Sequence, residues 1–390
     1  MPRRTVKEPT FAQWAAGYGP IRHTPSTRAR VRAMARTIEK WPGSKRAGSS
    51  DGPSVWEVLH AADRIACAGM WLVVHETYAR SVYLDGRGLR AEDFKSHPEG
   101  HTGGALNMVP AYTGYLAANA LAGFTRSWIM GQGHCVAAVD SVNLLVGNMT
   151  PAHAERYDRS DAGLTRYVRD FYSYRLREDG TQDSPLGSHV NAHTAGGLAE
   201  GGYLGCVELQ YMHMPVRGER LVAFLSDGAF EEQRGSDWAP RWWRSEDSGL
   251  VAPIMIANGR RIDQRTTMAQ QGGIAWFIRH LRLNGFDPIV FDGRDPAAFV
   301  WAIFEMERRL AAAADAVRAG RADYPVRLPH GIAVAPKGAG FFGAGTNLAH
   351  NLPLGGNPHR DPEAARHFNE HARRLWVPGP DLARAAAPFQ

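Results

Sequence analysis

Two places constrain the fold of this chain more than any others, because at each a short apolar run stops on an oxygen-bearing residue followed by glycine. Residues 221–225 lead into Ser226-Asp227-Gly228, and residues 251–257 into Asn258-Gly259. Asp227 and Asn258 stand 31 positions apart, about what a strand, a crossover helix and a second parallel strand consume. Neighbouring strand tips would then carry a carboxylate and an amide oxygen, a pair suited to a hard divalent cation bridging to phosphate oxygens. Each half alone has a plainer reading, since Asp227 can cap a following helix and Asn-Gly is a common turn. The pairing carries more weight than either part.

Further apolar runs at residues 288–291 and 331–335 are bounded by turn residues, and helical spacing runs through residues 55–83, 105–121 and 297–318. Short strands alternating with helices predict an α/β fold, a doubly wound parallel sheet flanked by helices. The 44% hydrophobic content of 390 residues is ample for such a core. The expected organisation is an N-terminal extension and linker over residues 1–53, a main domain over 54–355 and a C-terminal tail over 356–390. Within the extension an Arg-rich helix is expected at residues 27–40, capped by Ser26 or Thr27 and lying on the surface, before a Gly/Ser-rich connector.

The net charge of +6 is spread through the chain, which fits an anionic substrate and gives no reason to invoke nucleic acid. Cys67, Cys135 and Cys206 are odd in number and form no C-x-x-C, so neither a disulfide framework nor a zinc ribbon is supported and a reducing, cytoplasmic setting is expected. The basic start Met1-Pro2-Arg3-Arg4 lacks the apolar run of a signal peptide, and no membrane segment is expected.

His97, His101, His134, His189, His193 and His350 fall in expected loops, where imidazoles can donate to phosphate or move protons near neutral pH. A lone loop histidine is more often simply solvated. His97/His101 and His189/His193 have H-x-x-x-H spacing, but in turn-rich segments and without the glutamate of H-E-x-x-H, which argues against zinc there. Gly131-Gln132-Gly133-His134 and the run around Gly197 and Gly201-Gly202 are glycine-dense at expected helix starts, suited to cradling a diphosphate with backbone N–H groups. Arg260, Arg261, Arg265 and Lys337 can clamp a sugar phosphate or form a solvated basic face. Trp238, Trp242 and Trp243 are expected to fill the sheet–helix interface.

From about Ser96 to Leu354 the sequence resembles the amino-terminal, thiamine-diphosphate-binding half of phosphoketolase and, more distantly, the corresponding domain of transketolase. HPEGHTGGALNM, residues 97–108, is similar to the transketolase G-H-P-G-x-x-L-G-M and places His101 on the motif histidine. Gly131-Gln132-Gly133-His134 resembles G-P-G-H. Ser188-His189-Val190 with Glu200-Gly201-Gly202-Tyr203-Leu204-Gly205 resembles S-H-V and H-E-G-G-E-L-G. Ser226-Asp227-Gly228 and Asn258-Gly259 resemble G-D-G and N-G-Y-K, and Pro336-Lys337-Gly338 with Ala349-His350 resembles P-K-G and A-H-Q-V-P-L. The resemblance implies that Asp227 and Asn258 bind Mg2+, that Gly131, Gly133, Gly197 and Gly228 lie near the diphosphate of thiamine diphosphate, and that His101, His134, His189 and His350 face a sugar or sugar phosphate. Glu200, Glu231 and Glu232 are the acids expected to matter.

Departures accompany the likeness. Ser226 replaces a motif glycine, Ala229 an acid, Ala199 a histidine, Tyr203 a glutamate, and Arg260-Arg261 a Tyr-Lys pair, so substrate handling is expected to differ. The families also carry a pyrimidine-binding domain whose glutamate activates the cofactor, and these 390 residues do not include it. The expectation is therefore a split enzyme, a hetero-oligomer whose pyrimidine domain comes from a separate subunit, cleaving or transferring a two-carbon unit of a ketose phosphate, and the chain is expected in a homo- or hetero-oligomer. The alternatives are a cofactor-independent epimerase or isomerase of a sugar or amino sugar, and a non-catalytic scaffold subunit.

Overall fold

The computed structural model describes residues 9–38, 53–180, 183, 185, 220–228, 250–262, 264–323 and 326–390. Among them, a five-stranded sheet forms from β1 (Ser127–Met130), β2 (Arg220–Ser226), β3 (Leu250–Ala257), β4 (Phe286–Asp292) and β5 (Leu328–Val334), in the order β1-β2-β3-β5-β4. Every pairing is parallel, and Ser226 lies opposite Ile256 in the β2–β3 register. The sequence placed four of these strands within a few residues and missed β1, which is only four residues long and starts on an exposed serine.

Both faces of the sheet are buried, as its apolar runs require. Successive side chains on a strand point to opposite faces, so Val222 and Phe224 of β2 enter one core with Ile254 and Ile256 of β3, while Leu221 and Ala223 enter another with Met255 and Ala257. The larger core is closed by α3 (Val55–Tyr78), α4 (Thr102–Ala122), α5 (Val136–Val146) and α10 (Pro296–Arg318); the smaller takes Phe277 and Leu281 from α9 (Gly273–Leu283) and Leu310 from α10. Helices therefore flank both faces. The shorter α6 (Pro151–Arg156), α7 (Asp161–Asp170) and α8 (Thr267–Gln270) complete this region. Gly114 lets α4 approach α10 closely, because a Cβ there would lie 2.7 Å from the Pro296 carbonyl oxygen.

The segments on either side of this region join the same core. The Arg-rich helix expected on the surface is α2 (Pro25–Ile38), preceded by α1 (Phe11–Ala15), and its Val31, Met34, Ala35 and Ile38 are buried with Trp14. Arg28, Arg32 and Arg36 are exposed and Arg30 reaches across to the Val290 carbonyl oxygen at 3.0 Å, while every third or fourth residue turns inward, an amphipathic pattern that arginine content alone conceals. Residues 361–386 form α11 (Pro362–Leu375) and α12 (Gly379–Ala386), and the Phe368 ring sits 5.1 Å from those of His75 and Phe94. No described helix is long and apolar enough to cross a membrane.

Two buried ionic groups tie these layers together. Arg126, fully buried below β1, donates from Nε to Glu307 Oε1 at 2.6 Å and from Nη2 to Oε2 at 2.9 Å. His23, ahead of α2, donates from Nδ1 to Asp295 at 2.8 Å and from Nε2 to Asp63 at 3.0 Å, joining α2, α3 and the start of α10. Burial opposes a charge on His23, but hydrogen bonds to Asp295 and Asp63 overcome it and raise its pKa to about 10.

Glu307→Ala strands a buried guanidinium and should lower the unfolding free energy by about 3–5 kcal/mol, measured from urea midpoints at unchanged slope. Because the folded pKa of His23 lies above its ordinary 6.5, its stabilisation is complete below about pH 6.5 and is lost as pH rises toward 10. Thermal melts over that window should show the fall in the native chain and a flatter profile in His23→Gln.

Candidate active site

Parallel strands open all their carboxyl ends on one edge, where an α/β sheet presents its loops. Here the loop after β1 carries Gly131–His134, the tip of β2 carries Asp227, the tip of β3 Asn258, and the loop after β5 Lys337. The chain steps from β1 to β2 to β3, then passes beyond β5 to β4 before returning, so the winding reverses beside β3 and β5.

Asp227 is only 1% exposed. Its Oδ1 accepts from Gly228 N–H at 3.0 Å and its Oδ2 from Gly259 N–H at 2.6 Å, clamping the tips of β2 and β3 together. Gly259 turns its N–H back to the carboxylate at φ +74°, a conformation that glycine adopts without a Cβ penalty. Asn258 accepts from Arg260 N–H at 3.1 Å and donates from Nδ2 to Asn107 Oδ1 at 3.3 Å. Asn107, buried in α4, also accepts from Gly338 N–H at 3.2 Å and donates to Pro336 O at 2.9 Å, which ties α4, β3 and the β5 loop into one unit. A carboxylate and an amide oxygen at adjacent tips form an all-oxygen donor set, and a carboxylate has acceptor sites beyond two N–H groups, so the residues fit a hard cation such as Mg2+. Beside them opens a cavity of about 450 Å³ walled in part by Arg265, Thr266, Arg294 and Pro336.

His101, His134 and His350 come together. Their ring centroids lie 5.3 Å (His101–His134), 5.9 Å (His101–His350) and 6.3 Å (His134–His350) apart. His101 caps α4, His134 sits in the turn Gly133–Cys135 before α5, and His350 is stitched to α4 by a bond from Gly103 N–H to its carbonyl at 3.3 Å. Gly103 is required there, because a Cβ would stand 2.1 Å from the Ala349 carbonyl oxygen. Lys337 is 4% exposed; its Nζ lies 3.4 Å and 3.3 Å from the Arg260 and Arg261 carbonyl oxygens and donates to His350 Nδ1. An ammonium has no acceptor, so His350 carries its proton on Nε2.

Burial governs the charges. Desolvation, with Lys337 and neighbouring imidazoles adding repulsion, holds His134 and His350 down to about 3 and His101 below its usual value. Desolvation also lowers Lys337 to about 8, the Asp227 carboxylate opposing it. Three imidazoles and one cation thus stand together, and His101 Nδ1, His134 Nδ1 and, in the turn before His134, Gln132 Oε1 are buried without a hydrogen-bond partner among the described residues. Unmet buried polar atoms each cost about 1–3 kcal/mol, and their concentration here is what a pocket for a hydroxylated or phosphorylated ligand presents.

Of the residues singled out in the sequence, Asp227, Asn258, His101, His134, His350 and Lys337 converge. Gly133 is buried at the start of its turn, and Gly131 spends its N–H on Phe224 O at 2.8 Å, so its contribution is the space left by an absent side chain. Gly228 is open, a Cβ there meeting nothing nearer than 3.8 Å. His97 is exposed and, among the described residues, bonds only its neighbour Ser96, at 3.1 Å. His189, His193, Gly197, Glu200, Glu231, Glu232 and Trp238, Trp242 and Trp243 lie outside the described residues. Sequence reasoning passed over Asn107 and Gln132. The signal for Asn107 was its place as a lone amide within the apolar stretch Leu106 to Val109, where an unpaired polar group would be costly.

The protein-family model described as the XFP N-terminal domain matches residues 55–372. The chain is 26% identical over 247 residues to a probable phosphoketolase 2 of Lactiplantibacillus plantarum, covering 62% of this chain and 29% of that protein. It is 24% identical over 346 residues to a probable phosphoketolase of Schizosaccharomyces pombe, covering 85% of this chain and 39% of that protein. It therefore spans only about a third of the length of these relatives. Among solved structures it is similar to transketolases of Pichia stipitis, at 13% identity and a TM-score of 0.43 over 85% of this chain and 46% of that one, and of Leishmania mexicana, at 13% and 0.41 over 85% and 47%.

Imidazole resonances followed by NMR should keep His134 and His350 neutral down to about pH 3. In Lys337→Met, which removes the ammonium repelling both rings, the two titrations should move to higher pH.

Proposed function

Because the chain belongs to the phosphoketolase (XFP) N-terminal domain family, we propose that it is the diphosphate-binding part of a thiamine-diphosphate-dependent enzyme that cleaves or transfers a two-carbon unit of a ketose phosphate. The observation that carries this reading is the clamp of Asp227 across two parallel strand tips, with Asn258 beside it. Asp227 and Asn258 would hold magnesium and through it the diphosphate, with Gly228 and Gly131 leaving room. When bound, thiamine diphosphate supplies an electron sink for breaking a carbon–carbon bond.

This chain's own residues bind and orient. Lys337, still largely charged at neutral pH with a pKa of about 8, offers a desolvated positive charge to a phosphate oxygen. His350 offers Nε2–H to a substrate hydroxyl, and His101 and His134 each bring a neutral imidazole whose Nδ1 is unmet. The pyrimidine-binding half, with its glutamate, is supplied from outside these 390 residues, in the split arrangement by a separate subunit of a hetero-oligomer. The rival cofactor-free epimerase needs a base matched to neutral pH. His134 and His350, held near 3, are poorly matched to abstracting a carbon-bound proton, whereas Lys337 at about 8 is matched, so the preference for the thiamine reading rests on the paired oxygen ligands Asp227 and Asn258 at the strand tips.

Calorimetry with thiamine diphosphate and excess magnesium should give saturable binding, weakened by at least about 10–100-fold in both Asp227→Ala and Asn258→Ala. Asn258→Ala matters because it leaves the Asp227 clamp in place. Full affinity in both variants, or no binding by the native chain with and without a pyrimidine-domain partner, would overturn the assignment.

A further inference from the structure

Outside the sheet edge, one face of α11 gathers metal-ligating side chains. His367, Glu370 and His371 stand at i, i+3 and i+4, and one ligand atom from each lies within 4.8 Å of the others. The four-residue histidine spacing seen in loops at His97/His101 recurs here on a helix, where it stacks two imidazoles on one face. The rings are braced. His371 Nδ1 donates to the His367 carbonyl oxygen at 2.9 Å, which leaves the lone pair on Nε2. His367 stacks on Phe342 at 4.3 Å, and Phe342 also meets the His371 ring edge-on at 5.4 Å. Since His367 Nδ1 is buried, its Nε2 is the nitrogen turned toward the carboxylates, 3.6 Å from Glu363 Oε1.

We propose that His367, Glu370 and His371 form a binding site for a borderline divalent transition ion of the zinc class, separate from the magnesium site at the strand tips. Two imidazoles and a carboxylate select such an ion over magnesium, which prefers oxygen alone. Bonds of about 2.1 Å put the ligands of a tetrahedral ion roughly 3.4 Å apart, a closure that asks for small rotations of the two half-buried imidazoles while the exposed Glu370 swings onto the ion. The place is already held by a cation. Arg366, 60% exposed, reaches Glu370 at 3.4 Å, Glu363 at 3.8 Å and His367 Nε2 at 3.3 Å. Such exposed pairs are weak, so a metal ion displaces the guanidinium. A coordination position is left for solvent or Glu363, beside a cavity of about 780 Å³ that Glu370 and Arg366 help to line.

The test is calorimetric titration of the untagged chain with Zn2+, in buffer holding magnesium in large excess to saturate the strand-tip site, with Co2+ absorption as the second readout. One equivalent of Zn2+ should bind in the micromolar range, and Co2+ should give visible ligand-field bands. His367→Ala, His371→Ala and Glu370→Ala should each weaken binding by at least about tenfold, Arg366→Ala should tighten it, and His101→Ala should leave it unchanged. Glu370 is exposed and Arg366 pairs only at the surface, so these two variants keep the test decisive if a histidine variant folds poorly. No binding below millimolar Zn2+, or binding lost in His101→Ala and retained in Glu370→Ala, would overturn the proposal.

Discussion

Everything at the sheet edge depends on one buried carboxylate. Asp227 accepts N–H groups from its own strand tip and from the next, so removing it would free two strand ends and leave both donors without their acceptor. A group at 1% exposure that is formally charged costs several kcal/mol to bury unless paired and hydrogen-bonded. Here the N–H groups and the nearby Lys337 ammonium meet that cost. The clamp also sets the position of Asn258, which in turn reaches Asn107 and through it the β5 loop. A ligand-binding edge becomes rigid because its parts share one hydrogen-bonded chain.

The second constraint is desolvation. Desolvation pushes His101, His134, His350 and Lys337 each toward their neutral forms, and repulsion from Lys337 adds to the effect on the three imidazoles. Neutral imidazoles present both a donor and an acceptor, which suits hydroxyl-rich ligands better than a ring of imidazolium charges would. The same loop that carries Lys337 and His350 also contributes Phe341 and Phe342, which pack against Phe368, His367 and His371 on α11. The sheet-edge site and the helical cluster therefore share one loop.

Much of the frame was legible from residue order. The runs at 221–225 and 251–257 stand out because strands covered on both faces must be apolar at every position, and they are found as β2 and β3 with both cores drawing on alternate residues. β1 was not legible, because four residues with one exposed end carry too little pattern to separate from a loop. The depth of α2 was hidden by its arginines, of which Arg28, Arg32 and Arg36 are exposed while Val31 and Ile38 are buried. At the site, loop placement and turn residues singled out His101, His134 and His350 one at a time.

What the sequence determined by itself was local: which runs become strands, that Asp227 and Asn258 end two of them, and that histidines and glycines populate the loops beyond. These follow from periodicity and backbone preference over a few residues. Tertiary structure alone decided that the three imidazoles meet, that Asn107 joins the tip of β3 to the loop after β5, and that His134 and His350 are neutral while His23 holds its proton. Contact and protonation depend on which distant segments exclude water from a group and which charges they bring near it, and parallel winding fixes both only once every strand has delivered its carboxyl end to the same edge.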